Sequence, residues 1–169
     1  MLFVLMVLPV YCDNMYYADY SKNLIFSWEF LRENNPYTIE EDDFYVKFAF
    51  GEDLEETCQG EKGSVIQFWK DNNNCRVLGK HEKRYIKHFE LFKKSVIEVN
   101  YNGGTLCRDR TLGDVPRKTE FRFLCSEEEG EFSLYIGSHT CRSLFEKHSK
   151  AGCSKKLTDT LIVKGLLYL

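Results

Sequence analysis

Cysteine, histidine and clustered carboxylates are the side chains of this chain whose chemistry could define a site. There are seven cysteines, Cys12, Cys58, Cys75, Cys107, Cys125, Cys141 and Cys153. Structural zinc is held by ligand pairs a few residues apart. No C-x-x-C occurs, and His81, His88, His139 and His148 do not fall at ligand spacing from the cysteines. No metal or cofactor is therefore expected. His81 and His88 lie in a charged stretch that reads as a solvated face. Asp42, Asp43, Glu127, Glu128 and Glu129 are runs of like charge, which also read as solvated surface. There is no G-x-S-x-G, H-E-x-x-H or P-loop, so no enzyme chemistry is expected. The chemistry left to the cysteines is oxidation. Without Cys12 they number six, and an even count in an oxidising compartment reads as a disulfide framework. Six cysteines allow more pairings than spacing alone can choose among.

The N-terminus supplies that compartment. Leu2 to Val10 are almost wholly apolar, and Asp13 and Asn14 end the run. The run is too short to span a bilayer and fits the core of a signal peptide. Val10 and Cys12 suit the small-residue positions before a cleavage site, which assigns residues 1–12 to a removed signal. The n-region has no Lys or Arg, and a buried N-terminal strand is the competing reading. The net charge of −3 leaves no basic footprint for nucleic acid. The tail, residues 156–169, ends in LIVKGLLYL, which Lys164 and Gly165 interrupt, so it is not expected to span a membrane. The chain carries no N-x-S/T acceptor, and its last four residues, LLYL, are not a retention signal.

Strands must position any site. Aromatics make up 15% of the residues, mostly Tyr and Phe, which favour strands. Thr119, Phe121, Phe123 and Cys125 alternate with Glu120, Arg122 and Leu124, a clear period-two strand. Further strands are expected at 44–51, 64–69, 95–101, 132–136 and 142–145. Glu52 to Glu56 reads as an acidic loop. Asn102-Gly103-Gly104 predicts a hairpin turn, with 105–107 as the returning strand. Leu24, Ile25, Trp28 and Leu31 have the spacing of one short amphipathic helix, although Phe26 and Phe30 leave two brief strands open. Many short strands separated by turn signals predict one all-β sandwich or flattened barrel.

The second half of the chain, YNGGTLC, PRKTEFRFLC, SHTC and AGC, resembles the mannose-6-phosphate receptor homology (MRH) domain, a β-barrel lectin module. Within that family it is most similar to the endoplasmic reticulum (ER) quality-control lectins first found amplified in osteosarcoma. Cys58-Gln59-Gly60, Gln67-Phe68 and Leu78-Gly79 extend the likeness upstream, so that it covers roughly residues 52–155. The resemblance implies an MRH-like domain over 41–155, preceded by an N-terminal extension, 13–40. It implies bridges Cys107–Cys141 and Cys125–Cys153, which leaves Cys58–Cys75 as the third. That last pair departs from the family, whose first bridge starts further upstream.

The resemblance also implies a mannose site of Gln, Arg, Glu and Tyr, groups that match the donors and acceptors of sugar hydroxyls. Gln67 and Arg117 carry over. The Glu position is Gly137 and the Tyr position Ser143, so two ligands are missing. Tyr135, Glu131 and Glu146 could substitute only if the register slips. The paired Trp residues of the ER lectins are absent, and Glu52 and Asp53 stand near their place. The expectation is a lectin-like factor of the ER lumen in glycoprotein degradation. Its partners would be the N-glycans of misfolded glycoproteins, bound weakly or no longer, and an ER membrane ubiquitin-ligase complex. A protein-binding adaptor on the same scaffold, and an accessory subunit of a glycan-processing enzyme, are the alternatives.

Overall fold

The computed structural model describes residues 16–19, 22–27, 36–136 and 141–156. Their regular structure is all strand apart from one 3-10 turn, Lys150–Gly152. The main sheet has eight strands. In spatial order they are β11 (Ser133–Ile136), β12 (Arg142–Ser149), β10 (Lys118–Cys125), β7 (Lys94–Asn102), β6 (Cys75–Leu91), β5 (Val65–Trp69), β4 (Phe44–Phe48) and β3 (Tyr37–Glu40). Only β10 and β12 run parallel. A second sheet joins β1 (Tyr16–Asp19), β2 (Leu24–Ser27) and β13 (Ser154–Lys156), and β8 (Leu106–Asp109) pairs with β9 (Gly113–Pro116). Among the described residues no helix is long and apolar enough to cross a membrane.

The sheet curls because β6 serves both halves. Its first residues pair with β5, and Arg84 to Leu91 pair with β7. The register shifts between Lys80 and Arg84, where extra residues on one strand bend it and tighten its twist. Gly79 sits at this bend because a Cβ there would lie 2.5 Å from the Tyr101 side chain and 2.9 Å from its carbonyl oxygen. The concave face is filled by the inward residues of the alternating strands. Phe48 and Phe121 rings lie 4.6 Å apart, Phe121 and Phe145 stack at 5.0 Å, and Phe26 of β2 is buried in the same core. The period-two strand read at Thr119–Cys125 is β10, with Phe121 and Phe123 inward.

Three bridges tie the barrel, Cys58–Cys75, Cys107–Cys141 and Cys125–Cys153, with Cα atoms 5.6, 5.5 and 4.4 Å apart. Cys107–Cys141 and Cys125–Cys153 are the pairs that the family likeness implies, and Cys58–Cys75 is the pair left over, which departs from the family.

Three local expectations are corrected. Leu24–Ser27 is a strand rather than the start of a helix, because β1 and β13 supply its hydrogen-bonding partners on both edges. Trp28 and Leu31 lie outside the described residues. Thr105–Cys107 does not return along β7. Instead Thr105 N–H donates to the Val77 carbonyl at 2.8 Å, and β8 pairs with β9. The hairpin of β7 is made with β6, and its loop is Phe92-Lys93. Nor is the His81–Lys94 segment only a solvated face. His81 and His88 are half-buried, and the His88 ring lies 5.0 Å from that of Phe26. The proposed signal, 1–12, Gly137 and the tail from residue 157 lie outside the described residues.

Candidate functional site

Gln67 and Arg117 come from distant parts of the chain. Gln67 is the third residue of β5, opposite Val46 on one side and Arg76 on the other. Alternation turns it inward with Val65, where it is buried, with 5% of its surface exposed. A buried amide needs partners, and Arg76 Nε donates to Gln67 Oε1 at 2.7 Å. The Arg76 guanidinium also lies 4.6 Å over the Trp69 ring. Arg76 was not singled out in the sequence. Its only signal is that it follows Cys75, whose bridge to Cys58 fixes the start of β6.

Arg117 is brought to the same end of the barrel by the backbone. Its N–H donates to Thr105 O at 3.1 Å, and its carbonyl accepts from Gly104 N–H at 3.0 Å. Thr105 is in turn held to β6 at both its N–H and its hydroxyl, the latter accepting from Val77 N–H at 3.0 Å. Gly104 is required for this approach, since a Cβ there would lie 2.5 Å from Val77 O and 3.0 Å from the Arg117 Cβ. The two arginines sense each other. Arg76 is pushed down to about 10 by burial and by the Arg117 charge, and burial lowers Arg117 as well.

Between β5, β6 and β12 lies a small cavity of about 40 Å³, lined by Gln67, Arg76, Leu78, Leu134, Arg142 and Ser143 among others. Arg142 was also missed. It follows Cys141, and its Nη2 is held by the carboxylate of Glu120, a residue only 2% exposed. Lys118 Nζ and Arg122 Nη2 lie 3.4 and 3.7 Å from the same carboxylate. Ser143, next to Arg142, lines the same cavity. Glu131, Tyr135 and Glu146 do not line it. Tyr135 is 51% exposed, because Leu134 takes the inward position on β11. The register does not slip to bring these residues in.

The arrangement is a shallow polar mouth with one amide and nearby guanidinium groups. It can bind oxygen acceptors through N–H donors. It has no nucleophile with a base in contact, and among the described residues no cluster of His, Cys, Asp or Glu could hold a metal ion.

A second charged group lies on the outer face of the sheet, in the β6–β7 hairpin. Glu98 is fully buried. It receives Lys87 Nζ at 2.8 Å, Arg122 Nε at 2.7 Å and Asn100 Nδ2 at 3.0 Å. Burial by itself would raise the Glu98 carboxyl. The three hydrogen bonds outweigh it and hold the group below the usual carboxylate range.

No protein-family model matches the chain, and no curated protein matches it. Among solved structures it is similar to domain 11 of chicken IGF2R, with a TM-score of 0.56 and 18% identity over 80% of this chain and 88% of that one. The likeness shows the fold, a flattened MRH-type β-barrel with three disulfides.

Proposed function

We propose that this protein is a lectin-like recognition factor of the ER lumen that takes misfolded glycoproteins toward degradation, on an MRH barrel whose mannose site is degenerate. The observation that carries the reading is the gathering of Gln67, Arg76 and Arg117 at one end of the barrel, beside a cavity that Ser143 lines, the position at which the resemblance implies a Tyr. Its three disulfides and fold fit a protein of the secretory pathway or the cell exterior. Sugar hydroxyls would be met by the Gln67 amide and the arginine N–H groups. With Glu and Tyr both absent, each unpaired hydroxyl costs about 1–3 kcal/mol. Two such losses remove about 2–6 kcal/mol of a micromolar interaction, which is worth about 8 kcal/mol in all. High-mannose binding is therefore weak or lost.

Titration of purified protein with high-mannose N-glycans checks this. No saturation is expected in the low micromolar range. Low-micromolar binding abolished by Arg117→Ala would overturn it.

A second reading is a protein-binding adaptor on the same barrel, favoured by the loss of the tyrosine at Ser143. Pull-down of ER membranes with and without glycan trimming separates the two. A ubiquitin-ligase complex recovered only with intact glycans supports the lectin, and the same complex recovered after trimming supports the adaptor.

A further inference from the structure

The β6–β7 hairpin ends on a two-residue loop that its own sequence opposes. Phe92 and Lys93 both have positive φ, 50° and 64°. Side chains bearing a Cβ adopt that region reluctantly, and Asn-Gly is the common solution in such loops. Phe92 is also 92% exposed, the most exposed large apolar side chain among the described residues. Strain and an unburied aromatic ring coincide at one residue, and neither helps the fold. Lys93 and Lys94 beside it are exposed.

A matching surface lies elsewhere on the chain. A cleft of about 650 Å³ opens at the acidic loop that follows β4. Ala49 and Leu54, each 3% exposed, give it an apolar floor, and Glu52, Asp53, Glu55 and Glu56 line it. Some of these carboxylates are engaged. Glu56 takes Lys47 Nζ at 2.5 Å, and Asp53 Oδ1 accepts from Ser64 Oγ and His81 N–H, both at 3.0 Å. Glu52 and Glu55 are exposed, and neither forms an ion pair with a described residue. The cleft is anchored at His81, and the tip is Phe92. Lys80 and Leu91 lie opposite Asn102 and Lys94, eight residues apart on β7, so at roughly 3.3 Å per residue cleft and tip stand about 26 Å apart and a tip does not reach its own cleft.

We propose that these two surfaces form an interface between copies of this chain. Phe92 of one copy enters the cleft of the next, and Lys93 and Lys94 meet Glu52 and Glu55. Tip and cleft are different surfaces, so the contact is heterologous: each added copy leaves one tip and one cleft open, and the assembly grows rather than closing as a twofold dimer. This goes beyond the mouth and does not depend on it, since none of these residues lines the mouth cavity. One ring and a few exposed ion pairs make a weak contact, best seen at high protein concentration and low salt.

Sedimentation of the purified protein over a hundredfold concentration range reaching about 1 mM tests it. The average mass should rise without a plateau at the dimer and fall back in high salt. Phe92→Asn places a residue that tolerates positive φ at the tip. It should weaken association roughly tenfold or more while the melting temperature holds or rises. The pair Lys93→Glu with Lys94→Glu, and the pair Glu52→Lys with Glu55→Lys, should each stay monomeric alone and associate when mixed. A wild-type protein that is monomeric throughout, or a mass that saturates at a dimer, overturns the proposal. So does association that survives Phe92→Asn, or swapped variants that are folded by circular dichroism yet do not assemble on mixing.

Discussion

Strand β6 joins two ends of the molecule that are built in different ways. At its start, Arg76 is held by a disulfide one residue away, a hydrogen bond to Gln67 and the face of Trp69. At its finish, Phe92 projects into solvent on a loop whose backbone favours other residues. Two of the three bridges, Cys58–Cys75 and Cys107–Cys141, stand beside mouth arginines. At the mouth, covalent and hydrogen-bonded restraints place charged side chains where burial alone would disfavour them. At the tip, residue type is set against local geometry with no tertiary contact in return. The contrast separates groups held in place by the fold from a group the fold merely tolerates.

The largest test falls on the root of the hairpin. Glu98→Ala removes the buried carboxylate that accepts from Lys87, Arg122 and Asn100, and at about 1.5–3 kcal/mol for each hydrogen bond to a charged group the loss comes to about 3–5 kcal/mol after solvent meets the exposed cations. Urea unfolding should show that loss. A smaller effect would mean that the hairpin is less firmly rooted than the mouth.

Cutting the mouth's own restraint comes next. Cys107→Ser with Cys141→Ser should cost about 2–4 kcal/mol in the same assay. It should also increase hydrogen exchange at Arg142 and Ser143 more than at Lys94.

The pH dependence is gentler. The Glu98 carboxyl is held below its unfolded value, so its stabilisation is fully present above the ordinary carboxylate range, near about pH 4, and is lost as pH falls through that range toward the folded value. Urea midpoints should decline over that interval, and Glu98→Gln should flatten the decline.

The smallest effect is a gain. Replacing Phe92-Lys93 by Asn-Gly relieves the loop and should stabilise the fold by about 1 kcal/mol, a few degrees in melting temperature. A loss instead would show that Phe92 contributes to the fold, and the contrast between the ends would fail.

Much of this was legible before any coordinates. The alternation of Thr119–Cys125 yields β10 because a strand's faces repeat every second residue, whatever lies beside it. Leu24–Ser27 was not legible, because a short apolar run fits helix or strand, and the decision came from β1 and β13, one of them more than a hundred residues away in sequence. The hairpin was misplaced for a related reason. Asn102-Gly103-Gly104 has the chemistry of a turn, and Gly103 does take φ +73° there, but the chain turns toward β6. Phe92-Lys93 carries no turn signal at all. The mouth was half legible. Gln67 and Arg117 could be carried over from motifs, whereas Arg76 and Arg142 belong to no motif and show themselves only through register.

By itself, then, the sequence determined an all-β chain and a set of cysteines suited to an oxidising compartment. Those follow from residue identity and short periods, which need no knowledge of neighbours. Only the tertiary structure decided which arginines gather around Gln67, that Glu120 holds Arg142 at the mouth, and that a strained phenylalanine follows the longest of the described strands. Cross-strand register sets each of these, and register comes from packing and hydrogen bonds between segments that are distant along the chain.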